Sequence, residues 1–461
     1  MPVNKDYYTL AGSSGQSTGY TIDQSIRFAR ASNTSGNYMQ RNFGSAGDRT
    51  SWTWSCWFKL GSLNNFTPAS GLYYQFFACD YAKNDAGRGS FHIVADTSVS
   101  SHVRFQFQGH GTNFMRTTRQ FRDPSAWMHL VLVWDSDHAV ANDRQRLYIN
   151  GVRETDFATF SNPSAGQEIG INLGEIHRLG ISYNISGAAV NYPFDGYMAD
   201  IHFLDGYSYG PEYFGESDSY GIWIPKEYTG SYGSNGFKID GRDSSDLGDD
   251  ESGNGNDFTE TNFDTSDQSN DTPTNNTCVW NPLRPTGSQV MTEGNLRVDT
   301  SSGTYESIHG TIGIPPNSGI FYYEGVVHSH TIQLSFGWGS SDMGVNQNNN
   351  PATPKYFMYS DYNGKYYSSG GDGTVGDGFT NNDVIGCWID TDSTSNNLKF
   401  YRNGTLQSTH SFDFSDVDHI MPLTQHLNTC AVTGRFSADE WTQAPSGITD
   451  ANAITTNNVG S

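Results

Sequence analysis

The sequence predicts an all-β protein made of two antiparallel β-sandwiches in series, and three observations carry that prediction. First, a Trp/Asp-marked apolar run is followed about fifteen residues later by a strand ending in Asn-Gly, and this happens twice. One copy is LVLVWD with LYINGV (Trp134, Asp135, Tyr148, Asn150, Gly151); the other is VIGCWID with LKFYRNGTL (Trp388, Asp390, Tyr401, Asn403, Gly404). Asn-Gly between alternating apolar residues signals a hairpin, because a type I′ turn needs positive φ at both central positions. Second, the 461 residues are too many for one ordinary core and suit two domains of about 200 residues each. Third, only 35% of residues are hydrophobic while 14% are aromatic, and Gly, Asn, Ser and Thr abound, as in short strands joined by tight turns.

Taken in chain order, residues 1 to about 24 are polar and without periodicity, which predicts an attachment arm outside any core. In SWTWSCWFKL, Trp52, Trp54, Cys56, Phe58 and Leu60 share one face. Thr53, Ser55 and Lys59 share the other, so the reading is a strand with one buried side. Further strands are expected at FHIVAD, VRFQFQG, WMHLVLVWD, RLYING and HRLGIS, and FDGYMADIHFLDG continues the alternation through Phe194, Tyr197, Ile201 and Phe203. From about 240 to 277 the chain turns acidic and Asn/Ser/Thr-rich, which by composition alone predicts a solvated linker. A second β-rich block opens near Val279 and runs through FYYEGVV, IQLSFGWG, KYFMYS, DVIGCWID, LKFYRNG and NTCAVTGRF. The tail, residues 446–461, is again polar. Trp52, Trp54, Trp134 and Trp388 lie in alternating strands and are assigned to the core.

The formal charge of -23 repels phosphate backbones and anionic membranes, so nucleic acid is not an expected partner. Neither a basic-then-apolar leader nor a run of about 18 apolar residues is present, and membrane insertion is not expected. Cys56, Cys79, Cys278, Cys387 and Cys430 are odd in number and thinly spread, which reads as buried thiols; a Cys387–Cys430 bridge stays open as an alternative.

The first block, with SWTWSCWFKL, FRDPSAWMHLVLVWD, RLYINGVRE and FDGYMADIHFLDG, resembles a laminin-G-like or concanavalin A-like lectin/glucanase domain. The second, with YYEGVV, FGWGSS, NNDVIGCWID and LKFYRNGTL, resembles a SPRY domain carrying an Asn-rich insertion, GVNQNNNPATP. The segment from GIWIPKEYTG to CVWNPL is similar to one that recurs in tail-fibre-like virion proteins of bacteriophages. These resemblances imply two jelly-roll, concanavalin-like sandwiches: residues 25–277, with the acidic stretch as part of the sandwich, and residues 278–445. They also imply a location on a virion made in the host cytoplasm. The partners implied are other virion proteins through the arm, a host-surface glycan or protein at the loops, and further copies of the chain, a trimer being one option.

Candidate chemistry is sparse. A retaining glycosidase needs two carboxylates about 5 Å apart, yet the closest string is Glu154-Thr-Asp156 without a second Glu. The one GxSxG match, around Ser17, lacks the strand and helix of a nucleophile elbow. Zinc ligand spacing is missing. No catalysis is therefore expected. Asp246, Asp249, Asp250, Asn254, Asn256 and Asp257 crowd one Gly-containing stretch and form a candidate calcium set, with metal-free Asx turns as the alternative. Tyr356, Tyr359, Tyr362, Tyr366 and Tyr367 gather around Asp361 and Asn363; the exposed ones among them would stack on sugar rings. The resulting expectation is a phage tail or head fibre component that binds a host-surface glycan or protein. The alternatives are a purely structural adaptor of the capsid or tail and a glycan-degrading enzyme.

Overall fold

Alternating strands and Asn/Gly turns assemble into two all-β units, Gly15–Thr274 and a second of Asn275–Ser461 to which Met1–Ser14 belongs. The computed structural model of the chain describes residues 9–10, 19–32, 35–61, 73–80, 88–95, 103–109, 112–121, 123–183, 190–283, 289–341, 355–369, 371–374 and 376–459.

In the first unit, one antiparallel sheet runs in the order Phe157–Phe160, Thr112–Thr117, Val103–Gly109, Arg88–Ala95, Tyr73–Asp80, Ile176–Leu179, Tyr38–Asn42, Thr259–Thr261. The other runs Val152–Arg153, Gln145–Ile149, Met128–Asp135, Ser51–Leu60, Gly196–Asp205, Ser25–Phe28, Gln268–Ser269. Aromatic side chains fill the core. Trp52 stacks on Trp134 at 6.2 Å, and Trp54 meets Phe91 edge-on at 4.6 Å.

Three expectations change here. Thr53, Ser55 and Lys59, assigned above to an open face, are all buried, so the Ser51–Leu60 strand is covered on both sides. The reason is that the chain after Asp205 folds back over that face. Thr53 Oγ1 donates to Tyr207 O (2.8 Å), and Lys59 Nζ forms a buried ion pair with Asp271 (2.7 Å). In Gly196–Asp205 the alternation breaks at a bulge between Ala199 and His202, where Asp200 has φ +49°. An extra residue shifts the parity, so Ile201 and Phe203 enter the core while Tyr197 lies on the face of Lys59. The acidic stretch, a linker by composition, supplies Thr259–Thr261 and Gln268–Ser269 to the two sheets.

In the second unit the strand order is Gly371–Thr374, Lys365–Ser368, Tyr356–Ser360, Gln333–Ser340, Ile420–Arg435, Ile320–His330, Val384–Asp390, Leu398–Arg402, Thr405–His410. Ile420–Arg435, 16 residues long, also pairs along its length with Arg297–His309. Trp388 is buried but stands outside the main cluster, with Lys399 Nζ 3.9 Å from its ring centre. All five cysteines are buried, and Cys387 and Cys430 are thiols that form no bridge.

Both ends of the chain are tied down. Within 1–24, read as a free arm, Thr9–Leu10 pairs in parallel with Ile312–Gly313, and Ile22 packs with Trp57 and Ala199. The tail, read as polar, buries Ile454 and Val459, and Cys278 N donates to Ile454 O (2.9 Å). Isolated apolar residues without periodicity suffice for such anchoring, and a pattern search does not see them.

Candidate functional site

The first Asn-Gly hairpin builds a concave site. Asn150 (φ 47°) and Gly151 (φ 74°) both adopt the left-handed conformation that the turn demands. Asn150 Oδ1 accepts from His129 N (2.7 Å), which ties the turn to the neighbouring strand. The return strand Val152–Arg153 is the edge of one sheet, and Phe157–Phe160, four residues on in the chain, is the edge of the other. A cleft of about 580 Å³ opens beside these edges, within the size range of ligand sites.

One wall is aromatic: Phe157 and Phe160 have ring centres 4.9 Å apart, and Phe160 is 38% exposed. Arg146, Arg153, Asp143 and Glu154 bring two cations and two carboxylates to the lining, so the cleft carries no net charge within a strongly acidic chain. Each is held by a partner. Arg153 pairs with Asp143 (2.6 Å), Arg146 with Asp135 (3.7 Å), and Arg119 with Glu154 (3.2 Å). The hydrogen bond from Arg153 keeps the Asp143 carboxyl below its ordinary range. Gln145 also lines the cleft and is 1% exposed. Its Nε2 donates to Ser161 O (2.8 Å) and Phe114 O (3.3 Å), which fixes the amide orientation; its Oε1 has no donor among the described residues. Of these residues only Glu154 drew notice in the sequence. The legible signal was FATF, four residues with two Phe, directly after the hairpin.

The tyrosines of the cluster lie on three successive elements that differ in burial. Tyr359 is fully buried, packed on Phe379 and Phe400, with its hydroxyl bonded to Asp377 O and burial pushing its pKa up to about 12. Tyr356 is buried too. Tyr366 stacks on Phe357 at 4.8 Å, and Tyr367 packs with the separate cluster of Tyr356, Met358 and Leu423. Asp361 is a structural clamp: Oδ1 accepts from Leu334 N (2.8 Å) and Oδ2 pairs with His330 Nε2 (2.8 Å). Tyr362 is 50% exposed; the Asn363 side chain lies outside the described residues, as does the Asn-rich insertion. Tyr305, whose hydroxyl donates to Gln333 Oε1 (2.8 Å), has its pKa raised by burial and by its neighbour Tyr362. The surface-exposed part of the cluster thus comprises Tyr362 with the half-buried Tyr367 and Tyr305.

The acidic stretch is organised by its own backbone. Asp250 accepts from the N–H groups of Lys238 (2.8 Å), Ser252 (2.9 Å) and Asn256 (2.8 Å) and from Ser252 Oγ (2.8 Å). Asn254 and Asn256 donate to carbonyls of Gly233, Ser234 and Gly236, while Asn256 Oδ1 accepts from Arg41. Asp257 Oδ1 accepts from Asp250 N (3.2 Å), and Asp249 N donates to Asp246 O (3.2 Å). Burial and the neighbouring acids Asp257, Asp246 and Asp243 raise the pKa of Asp249. Among the described residues no group of three or more His, Cys, Asp or Glu is arranged to hold a metal. The Asp250 carboxylate and the Asn254 and Asn256 amides thus serve protein partners, in the manner of the Asx-turn alternative.

One pair resembles a nucleophile and base: Ser55 Oγ lies 2.8 Å from His129 Nε2. Trp223 Nε1, which can only donate, points at His129 Nδ1 (3.0 Å), so a neutral imidazole must carry its proton on Nε2. That tautomer donates to Ser55 and cannot take its proton. Burial lowers the His129 pKa to about 3 and keeps the ring neutral. Ser17 lies outside the described residues. Glu154 Oε1 accepts from the N–H groups of Thr155 and Asp156, so the pair serves a turn.

Comparison with known proteins agrees with the two units. The concanavalin A-like lectin/glucanases superfamily profile matches residues 6–207, and the SPRY domain profile matches residues 320–434. The chain therefore carries a concanavalin-like and a SPRY β-sandwich in series, domain types that suggest binding of protein or glycan. Ran-binding protein 9 of Xenopus laevis is 34% identical over 133 residues, 27% of this chain and 24% of that protein; the Homo sapiens protein is 32% identical over 133 residues, 27% and 18% respectively. The chain thus spans a quarter or less of the length of these relatives. Among solved structures, the SPRY domain of human HERC1 is similar at 17% identity over 34% of this chain and 96% of that one (TM-score 0.29). A putative carbohydrate binding protein from Bacteroides ovatus is similar at 15% identity over 52% and 59% (TM-score 0.33).

Proposed function

We propose that this chain, a concanavalin-like sandwich followed by a SPRY sandwich, is a non-catalytic recognition protein that holds a neutral glycan in the cleft between its first-domain sheet edges. The observation that carries this reading is the phenyl wall of Phe157 and Phe160, with Phe160 38% exposed, in a cleft whose arginines and carboxylates are already paired. A sugar supplies an apolar ring face for the phenyl wall and hydroxyls for the polar groups around it. Paired arginines and carboxylates offer donors and acceptors already fixed in place, with no net charge to favour an anion. For the second domain, the SPRY fold and the likeness to Ran-binding proteins support a protein contact, which we assign to the corner of Tyr362, Tyr367 and Tyr305. Display on a virion, as a fibre component with copies multiplying weak contacts, rests on the phage-like segment 221–283 alone, and the vertebrate relatives lend it no support.

The test is incubation with neutral cell-surface polysaccharides, read by binding and by product size. Saturable binding without shortening, lost in Phe160→Ala, is the expected result. Shortening of the chains makes the protein an enzyme, and neither outcome leaves an adaptor.

A further inference from the structure

We propose that the cleft is one end of an elongated site that reads a linear neutral oligosaccharide along a row of tyrosines; this inference rests on the glycan reading of the cleft. Arg146 joins the two parts. Its Nη1 donates to Asp143 O (2.6 Å) at the cleft, and its Nη2 donates to Ser208 O (3.3 Å), between Tyr207 and Tyr209. A second link is Tyr148, cross-strand partner of the cleft residue Arg153, which packs in the cluster that holds Tyr207 and Tyr209.

From there the rings continue in steps. Tyr207 and Tyr209 have centres 5.4 Å apart, and Tyr209 and Tyr213 stack at 4.2 Å with only 8° between their planes. A near-parallel stack leaves the outer ring one face in water, and Tyr213 is 42% exposed. The row is preset. Thr53 Oγ1 donates to Tyr207 O (2.8 Å) and accepts from Tyr209 N (2.9 Å), so the segment is pinned to the sheet before any ligand arrives. Rigid aromatic faces of this kind bind with little loss of conformational freedom. The occupant is set by charge. At the junction Arg146 is offset by Asp135, and in the cleft Arg153 is offset by Asp143 and Glu154 by Arg119, so neither selects a charged ligand. A linear neutral glycan, which carries ring faces and hydroxyls along its length, matches a path that begins in a polar cleft and ends on the open face of Tyr213.

The experiment is calorimetric titration of the full chain with cello-, malto- and manno-oligosaccharides from the monosaccharide to the hexasaccharide. Affinity should rise with length in one series. Tyr213→Ala should flatten that rise and weaken hexasaccharide binding by about tenfold, the order expected for one stacking contact, whereas Tyr213→Phe should keep it. Binding that is independent of length, or unchanged hexasaccharide affinity in Tyr213→Ala, overturns the elongated site and leaves the cleft reading intact. No binding at any length in any series overturns both.

Discussion

Replacing Gly151 and Gly404 by alanine perturbs two turns of the same conformation in different surroundings. Their φ values are +74° and +76°, so each alanine must adopt the left-handed region at about 1–2 kcal/mol. At Gly404 the atom closest to the added Cβ is Gln443 Oε1 at 3.3 Å, the end of a flexible side chain that yields easily. At Gly151 the added Cβ would sit 2.4 Å from Trp223 Cε3 and 2.5 Å from Cζ3. That indole is held in place, because its Nε1 donates to His129 Nδ1 (3.0 Å) and its far edge lies against Gly215. Displacing it adds overpacking of about 1–3 kcal/mol and loosens a hydrogen bond of about 1 kcal/mol. Gly151→Ala should therefore destabilise the first unit by about 3–6 kcal/mol, and Gly404→Ala the second by about 1–2 kcal/mol. Urea unfolding followed by hydrogen exchange on peptides of each unit measures the two separately. Equal losses would refute the argument that Trp223, and not the turn itself, sets the difference.

Lys59→Met strands the buried Asp271 carboxylate and should destabilise the first unit by about 3–5 kcal/mol, whereas adding Asp271→Asn should recover most of it; a double variant no more stable than the single one contradicts this account. Asp250→Ala removes four acceptor contacts, three to backbone N–H groups, and should cost about 2–4 kcal/mol in chemical denaturation. Since those contacts already occupy the carboxylate, millimolar calcium should leave the melting temperature of the native protein unchanged, and a calcium-dependent rise would show a cation site. The Asp361 hydrogen bond raises the His330 pKa above its ordinary 6.5. A raised pKa means the contribution is complete below pH 6.5 and fades as pH climbs through the folded value. The stability gap between the native protein and His330→Gln should narrow toward alkaline pH, and a gap that does not change with pH would falsify this.

Much of the scaffold was legible because its signals are local. VRFQFQG reads as a strand and is one, Val103–Gly109. Both Asn-Gly pairs adopt positive φ as their chemistry requires. Arg297–His309 escaped notice, since it buries Thr300, Glu306, Ser307 and His309, polar side chains that give no apolar alternation. Thr300 Oγ1 donates to Glu306 Oε2 (2.8 Å), and such mutual satisfaction is invisible before the strand pairs. The candidate site was less legible. Five tyrosines clustered in sequence look alike, yet Tyr359 lies on the fully buried Tyr356–Ser360 strand while Tyr362 sits in the short turn after it and is exposed.

By itself, then, the sequence determined the turns and the period-2 strands, because both follow from the sterics of a few adjacent residues. Tertiary structure decided which second faces are covered. Lys59 looks solvent-facing until Asp271, 212 residues away, arrives at its ammonium. It also made the cleft, since Gln145 and Phe160 belong to different sheets whose edges meet only when the sandwich closes. Burial of a polar group and the shape of a concavity depend on contacts distant in sequence, and no local pattern encodes them.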